Sequence, residues 1–247
     1  MPVGTVRQLC RYPVKSMLGE QLSAAEITSR GIEGDRRLAL IQTTTGKVVS
    51  AKHPRLWEKM LQLHASSDGK ITGPDGKVYG TDEELSAFLG QPVVLTDTPP
   101  DDPTIDRESP DDGQLRESHL PPGAFFDFAA LHLITTSTLD SVPADYRRFR
   151  PNLVLDTAGA GFIENAWVGR QLHIGADVII KVIVVTPRCA VPTLAHGDLP
   201  RDRMTVRRLN EKNRVVPLEQ LGPQPCAGVY AQVLAPGTVR LGDEVRL

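Results

Sequence analysis

The chain reads as a mainly β protein with short helices, an α+β chain in which an N-terminal β-meander precedes a barrel-like β domain. Three observations carry that reading. Twenty-one glycines and twenty prolines imply many turns, and apolar runs are short and broken by Pro or Gly. Hydrophobic residues at 40% and charged residues at 23% match a soluble globular composition. At 247 residues the chain can bury a core in one large or two smaller domains without disulfides.

The elements follow in order. Residues 3–9, 21–28, 37–42 and 47–51 are strand-like runs separated by turns, with Thr45-Gly46 suited to a hairpin connection. Thr81 is a good N-cap and Glu84, three residues on, completes a capping box, so residues 82–89 should form a helix stopped by Gly90. A strand over 92–96 follows. Between Asp97 and Asp112 lie seven acidic residues with Arg107 as the one base, and six prolines fall between Pro99 and Pro122. That composition implies a solvated loop or linker and a candidate docking face for a basic partner. Its carboxylates lack the spacing of a calcium loop.

Beyond it, residues 129–134 read as a strand, and the hydroxyls of Thr135-Thr-Ser-Thr138 suit the start of a short helix through Val142. Residues 152–156 are strand-like and 202–210 helical. The runs 168–179 and 236–247 each place glycine turns between alternating residues, which suggests two hairpins of a barrel spanning 125–247.

Charge and cysteine usage narrow the function classes. A net charge of −2 gives no broad footprint for nucleic acid or an anionic membrane. Cys10, Cys189 and Cys226 are too few and too scattered for a disulfide framework, which fits a reducing cytosol. The N-terminus lacks the apolar core of a signal peptide, and no stretch has the length of a membrane span, so the expectation is a soluble cytoplasmic protein. The six histidines form no H-E-x-x-H pair, and no phosphate-binding or dinucleotide glycine loop is present.

The chemistry concentrates on one thiol and several cations. Cys189 follows the β-branched run 182–186, stands beside Arg188, and is bracketed by Pro187 and Pro192. A rigid strand exit next to a cation favours the thiolate, which attacks electrophiles or ligates a soft metal. Cations also adjoin turns at Lys15 with Ser16, at Arg36 and Arg37, and at Arg147, Arg148 and Arg150. Converging, they would form a phosphate-sized anion pocket.

Several blocks resemble a known family. Tyr12-Pro-Val-Lys-Ser16, Gly31-Ile-Glu-Gly-Asp-Arg-Arg37, Val49-Ser-Ala-Lys52, Arg148-Phe-Arg-Pro-Asn-Leu-Val154, Thr186-Pro-Arg-Cys189, Gly228-Val-Tyr230 and Pro236-Gly-Thr-Val-Arg-Leu-Gly-Asp-Glu-Val245 are similar to successive blocks of the MOSC family, and to its amidoxime-reducing branch in particular. The resemblance implies an N-terminal β-barrel domain over 1–96, an acidic proline-rich linker or loop over 97–124, and a MOSC β-barrel domain over 125–247. It implies a molybdenum cofactor, a molybdopterin whose metal takes one protein thiolate, mapped onto Cys189. By the same mapping Lys15, Ser16, Arg36, Arg150, Asn152, Arg188 and Tyr230 hold the phosphate and pterin edges, with Thr135, Thr136 and Ser137 adding hydroxyl donors.

One departure stands out, since Pro187 occupies a place where many relatives carry a small hydroxyl residue, with Thr186 the nearest substitute. The cysteine spacing of a plant-type iron–sulfur module is absent, so a reductase of this kind takes electrons from a separate ferredoxin-like or flavoprotein-like donor. The implied activity is reduction of small N-hydroxylated or N-oxide substrates by oxygen-atom removal. The alternative is a protein that carries molybdenum cofactor, or transfers sulfur through Cys189, without turnover.

Overall fold

The computed structural model describes residues 1–109 and 113–247. Strand β1 (Pro2–Arg11) turns Val6 and Leu9 inward, and the short strands β2 (Glu20–Leu22), β3 (Ala24–Thr28), β4 (Gly31–Ile32) and β5 (Ala39–Gln42) follow it. Helix α1 (Pro54–Trp57) leads to a small meander of β6 (His64–Ala65), β7 (Ile71–Thr72) and β8 (Val78–Tyr79). Helix α2 (Asp82–Leu89) begins where the Thr81 hydroxyl accepts from the Glu84 amide at 3.3 Å and ends on Gly90 at φ +74°, as the capping box requires. Strand β9 (Val93–Thr96) pairs with β5.

The second half contains β12 (Leu131–Thr135), α3 (Thr136–Ser141), β13 (Leu153–Asp156), β14 (Gln171–Ile174) and β15 (Val178–Pro187), preceded by β10 (Thr104–Glu108) and β11 (Leu115–His119). It continues through α4 (Met204–Lys212), β16 (Arg214–Val215), β17 (Gln224–Ala235), β18 (Gly237–Arg240) and β19 (Glu244–Arg246).

Seven strands close a ring in the order β12, β13, β1, β19, β14, β15, β17, with β17 pairing back onto β12. Closure leaves no free edge and encloses a core that includes Leu9, Leu133, Leu155, Ile174, Ile180, Val229 and Val245. Each such aliphatic side chain contributes roughly 1.5–3 kcal/mol through burial. The N-terminal strand is thus a member of the ring that the C-terminal strands build, and the Met1 ammonium donates to the Leu247 carbonyl at 2.8 Å. A second core, with Val14, Met17, Leu40, Val49, Trp57, Met60, Leu85 and Val93, lies under α1, α2 and the small sheets.

The mainly β class with short helices is what the composition implied, yet four segments differ from the expectation, the first being the run 21–28, which breaks at Ser23 so that β2 pairs with β1 and β3 with β18 and β4. The run 47–51 makes only a single bridge, Ile41 to Val48, and its amides instead bond to Leu40 and Thr104. The run 236–247 is not a hairpin, because β18 pairs with β3 whereas β19 pairs with β1 and β14. The acidic stretch contains the β10–β11 hairpin. Its alternation sets Ile105 into a core with Ala39, Val48, Leu120 and Phe125. Asp106 and Glu117 both meet Lys47, at 2.7 and 2.8 Å, and Glu108 meets Arg55 at 3.0 Å. Composition reported the charge and not the internal partners that neutralise it. Pro110, Asp111 and Asp112 of that stretch lie outside the described residues.

Candidate functional site

A cavity of about 230 Å³ opens where β15 leaves the ring, lined by segments around Lys15, Arg36, Lys52, Asp127, Arg150 and Cys189. Ser16, Asn152, Arg188 and Tyr230 complete the set that the sequence brings forward at this place. The convergence comes from strand pairing. The Cys10 amide donates to the Asn152 carbonyl at 2.9 Å, and the Arg188 amide to the Pro225 carbonyl at 2.8 Å, which brings the ends of β1, β13, β15 and β17 together.

Thr135, Thr136 and Ser137 do not line this cavity. Thr135 Oγ1 caps α3 by accepting from the Thr138 amide, and it donates to Glu164 Oε2 at 2.7 Å. Thr138 reaches the other carboxylate oxygen at 2.7 Å, Ser137 Oγ sits 2.9 Å from Thr135 Oγ1, and Thr136 donates to Asp156 at 3.2 Å. These hydroxyls satisfy a helix start and a buried carboxylate. Thr186 is fully buried with no partner for its hydroxyl and lies off the cavity wall, so it does not stand in for a hydroxyl at Pro187. His196, also buried, bonds the Leu194 carbonyl at 3.0 Å, and burial lowers its pKa to about 4.

Among the described residues the non-glycine positions with positive φ are Ser16 at 66°, Arg36 at 46° and Arg150 at 54°. All three line the cavity. Such backbone costs on the order of 1–3 kcal/mol per residue and persists only where surroundings dictate it. Here the Arg36 amide donates to the Tyr12 carbonyl at 2.7 Å, the Arg150 amide to Arg147 at 3.2 Å, and Ser16 Oγ accepts from the Ala51 amide at 3.1 Å.

Two groups of lining residues carry the chemistry. In one, the guanidinium carbons of Arg150 and Arg36 lie 4.3 and 4.9 Å from the ring centre of Tyr12. Burial lowers the Arg150 pKa to about 10, and its buried Nη1 has no partner. Asn152 is fully buried; its carbonyl oxygen accepts from the His132 amide at 3.1 Å and Arg36 Nη1 at 3.3 Å, and its amide donates to Cys10 at 3.3 Å. In the other lies Cys189, partly exposed, in the turn between Pro187 and Pro192. Arg188 and Lys52 are within electrostatic reach of its sulfur. The Arg188 guanidinium is held by the carbonyls of Ala227 at 2.9 Å and Phe149 at 3.2 Å and by His132 Nε2. Burial and the adjacent Arg188 keep His132 well below its ordinary pKa, so its neutral ring accepts from that guanidinium.

Sequence reasoning missed Asp127 and His132, counted Arg148 among the cations of an anion pocket rather than as a brace for the thiol turn, and quoted Lys52 without a role. Asp127 accepts from Lys15 Nζ at 2.6 Å and Lys52 Nζ at 2.9 Å. Burial alone would raise its pKa, but the two ammonium groups hold it well below the ordinary range. Burial lowers Lys15 to about 8 despite Asp127. The available signal was a lone carboxylate between Phe126 and Phe128. Buried Arg148 donates to the Leu194 carbonyl at 3.0 Å and to Pro192 at 3.4 Å, fastening the Cys189 turn.

The MOSC N-terminal beta barrel domain family matches residues 3–84, and the MOSC domain family residues 122–246. The chain is 26% identical to mitochondrial amidoxime-reducing component 1 of Mus musculus, over 99% of this chain and 82% of that protein. It is 27% identical to the Homo sapiens counterpart, over 99% and 83%, and 25% identical to mitochondrial amidoxime reducing component 2 of Rattus norvegicus, over 98% and 83%. The crystal structure of the YuaD protein from Bacillus subtilis aligns with a TM-score of 0.47 at 11% identity, over 98% of this chain and 94% of that one. With the match to residues 122–246 spanning half of its length and the barrel match preceding it, the chain belongs to the MOSC domain family.

Proposed function

We propose that this protein is a molybdenum-cofactor oxidoreductase that removes oxygen from small N-hydroxylated or N-oxide compounds, using electrons from a separate donor protein. The observation that carries this reading is the convergence of one accessible thiol and a cluster of cations in a single cavity, with the buried Arg150 Nη1 unpartnered. A buried guanidinium without an acceptor is costly unless an anion meets it. The residues therefore fit a phosphate-bearing cofactor whose metal takes a thiolate ligand. The relatives named amidoxime-reducing components support the substrate class.

Arg150, Arg36 and Lys15 would hold the anionic end, arginine as a planar fork and lysine as a point charge. Cys189 offers a thiolate to the metal, and Arg148 and the flanking prolines hold that thiolate in place. Arg188, fixed by its two carbonyls and by neutral His132, sets positive charge beside the sulfur without consuming a carboxylate. When bound, the cofactor supplies the two-electron chemistry.

The test is elemental analysis of protein from a cofactor-producing host, paired with reduction of benzamidoxime by a chemical electron donor. Molybdenum in the wild type, its loss in Cys189→Ser, and turnover by the loaded protein are expected. Bound molybdenum without turnover, with release of cofactor to an acceptor apoenzyme, would replace the reductase by the carrier reading.

A further inference from the structure

We propose that Arg107 and an apolar lip form a substrate subsite at the cavity mouth that selects compounds carrying a carboxylate on an apolar body. This rests on the reductase reading above and extends it to a substrate class.

The pleat of β10 separates its charges. Asp106 and Glu108 share one face, where they meet Lys47 and Arg55. Ile105 and Arg107 share the other, which turns toward the protein. Ile105 is 1% exposed, and Arg107, one repeat further on, reaches the cavity wall. The strand is anchored there, since the Glu108 amide donates to the Lys52 carbonyl at 2.8 Å and the Val48 amide to Thr104 at 2.9 Å. Lys52 is the residue whose ammonium feels Cys189 and Tyr230. Arg107 thus enters the cavity wall from the strand that pairs with the Lys52 carbonyl.

Lys52 and Arg188, which line the same cavity, are committed. Lys52 meets Asp127, and Arg188 is held by carbonyls and His132. The Arg107 side chain makes no hydrogen bond or ion pair among the described residues, although a cross-strand neighbour, Arg116, stands opposite it in register. A guanidinium that lines a cavity without an acceptor is a ready fork for a carboxylate.

The rest of the lip is apolar. Phe128, Leu218 and Leu221 line the same cavity while remaining 44%, 39% and 45% exposed, and the Phe128 ring lies 5.5 Å from that of Tyr230. Large side chains left open to water around a cavity mouth mark a binding surface. An aromatic or alkyl body on this lip would place its N-oxygenated end toward Cys189 and its far carboxylate on Arg107.

The experiment compares benzamidoxime with 4-carboxybenzamidoxime on the loaded enzyme, as the ratio of their kcat/KM values. In the wild type the ratio favours the acid by about tenfold, the worth of one charge-assisted pair. Arg107→Ala brings it toward unity and Arg107→Lys restores part of it. A second arm, calorimetric binding of biphenyl-4-carboxylate, needs no turnover: affinity falls about tenfold in Arg107→Ala and weakens with salt. An unchanged ratio together with unchanged affinity overturns the subsite. If neither amidoxime is reduced, the reductase reading fails, and the binding arm alone decides the role of Arg107.

Discussion

Tyr12 and Arg150 form a cation–π pair, with the guanidinium carbon 4.3 Å from the ring centre. The same ring carries Arg36 at 4.9 Å, its backbone carbonyl accepts from the Arg36 amide, and its hydroxyl donates to the Pro151 carbonyl at 3.2 Å. One aromatic residue therefore holds two arginines that the chain keeps 114 positions apart. Two such contacts are worth about 1–2 kcal/mol together. Tyr12→Leu should weaken inorganic phosphate binding to the cofactor-free protein by about tenfold, and Tyr12→Phe much less. Calorimetry reads this, and a Leu variant with wild-type affinity would remove Tyr12 from the site's support.

The three thiols should react unequally. Burial raises Cys10 and Cys226 to about 11, so near neutral pH both stay protonated and shielded, whereas Cys189 is partly exposed. Iodoacetamide followed by peptide mass spectrometry should find fast modification at Cys189 alone in the native protein. Cys189→Ser should abolish the fast phase. Equal labelling of all three under native conditions would contradict this burial pattern.

Anion binding should depend on pH through Lys15. Its folded pKa of about 8 lies below the ordinary 10.5 because burial disfavours the ammonium. The charge is present below about 8 and is lost as pH rises through it, so phosphate affinity should fall between pH 7 and pH 9. Since the folded pKa is the lower one, the unfolded chain holds more protons between about 8 and 10.5, and this group's contribution to stability increases with pH across that window. Lys15→Met should flatten the affinity profile in that range. A wild-type profile that is already flat would refute the assignment.

Gly228 should tolerate no side chain. At φ +74° on β17, an added Cβ would stand 2.3 Å from the Leu133 carbonyl oxygen and 2.6 Å from His132 Nε2, the atom that faces Arg188. Gly228→Ala is expected to cost about 2–3 kcal/mol and to loosen Arg188. Thermal melting checks the first effect and phosphate binding the second; a variant as stable as wild type would mean that the ring relaxes at this position.

Much of the site was legible because its signals are local. The β-branched run ending at Pro187 marks a strand exit, which puts Cys189 on a stiff turn, and Thr81 with Glu84 writes the start of α2. Asp127 was not legible, because its importance comes from Lys15, 112 positions away, and from Lys52. The ligand role of the Thr135, Thr136 and Ser137 hydroxyls came only from the family resemblance, whereas their local reading as a helix start matches the cap that Thr135 makes, and the distant Glu164 is the partner that no local signal announced. Arg107 read as a stray base in an acidic stretch until the pleat of β10 gave it a direction.

The amino-acid order alone settled the β-rich class, the helix boundaries that rest on caps, and the family blocks, because turns, caps and short motifs depend on neighbours within a few positions. The folded chain decided which strand closes the ring, which cations meet, and which stay free. Those outcomes follow from pairings such as Cys10 with Asn152 and β17 with β12, whose partners are distant in sequence and acquire meaning only when burial forces every backbone donor to find an acceptor.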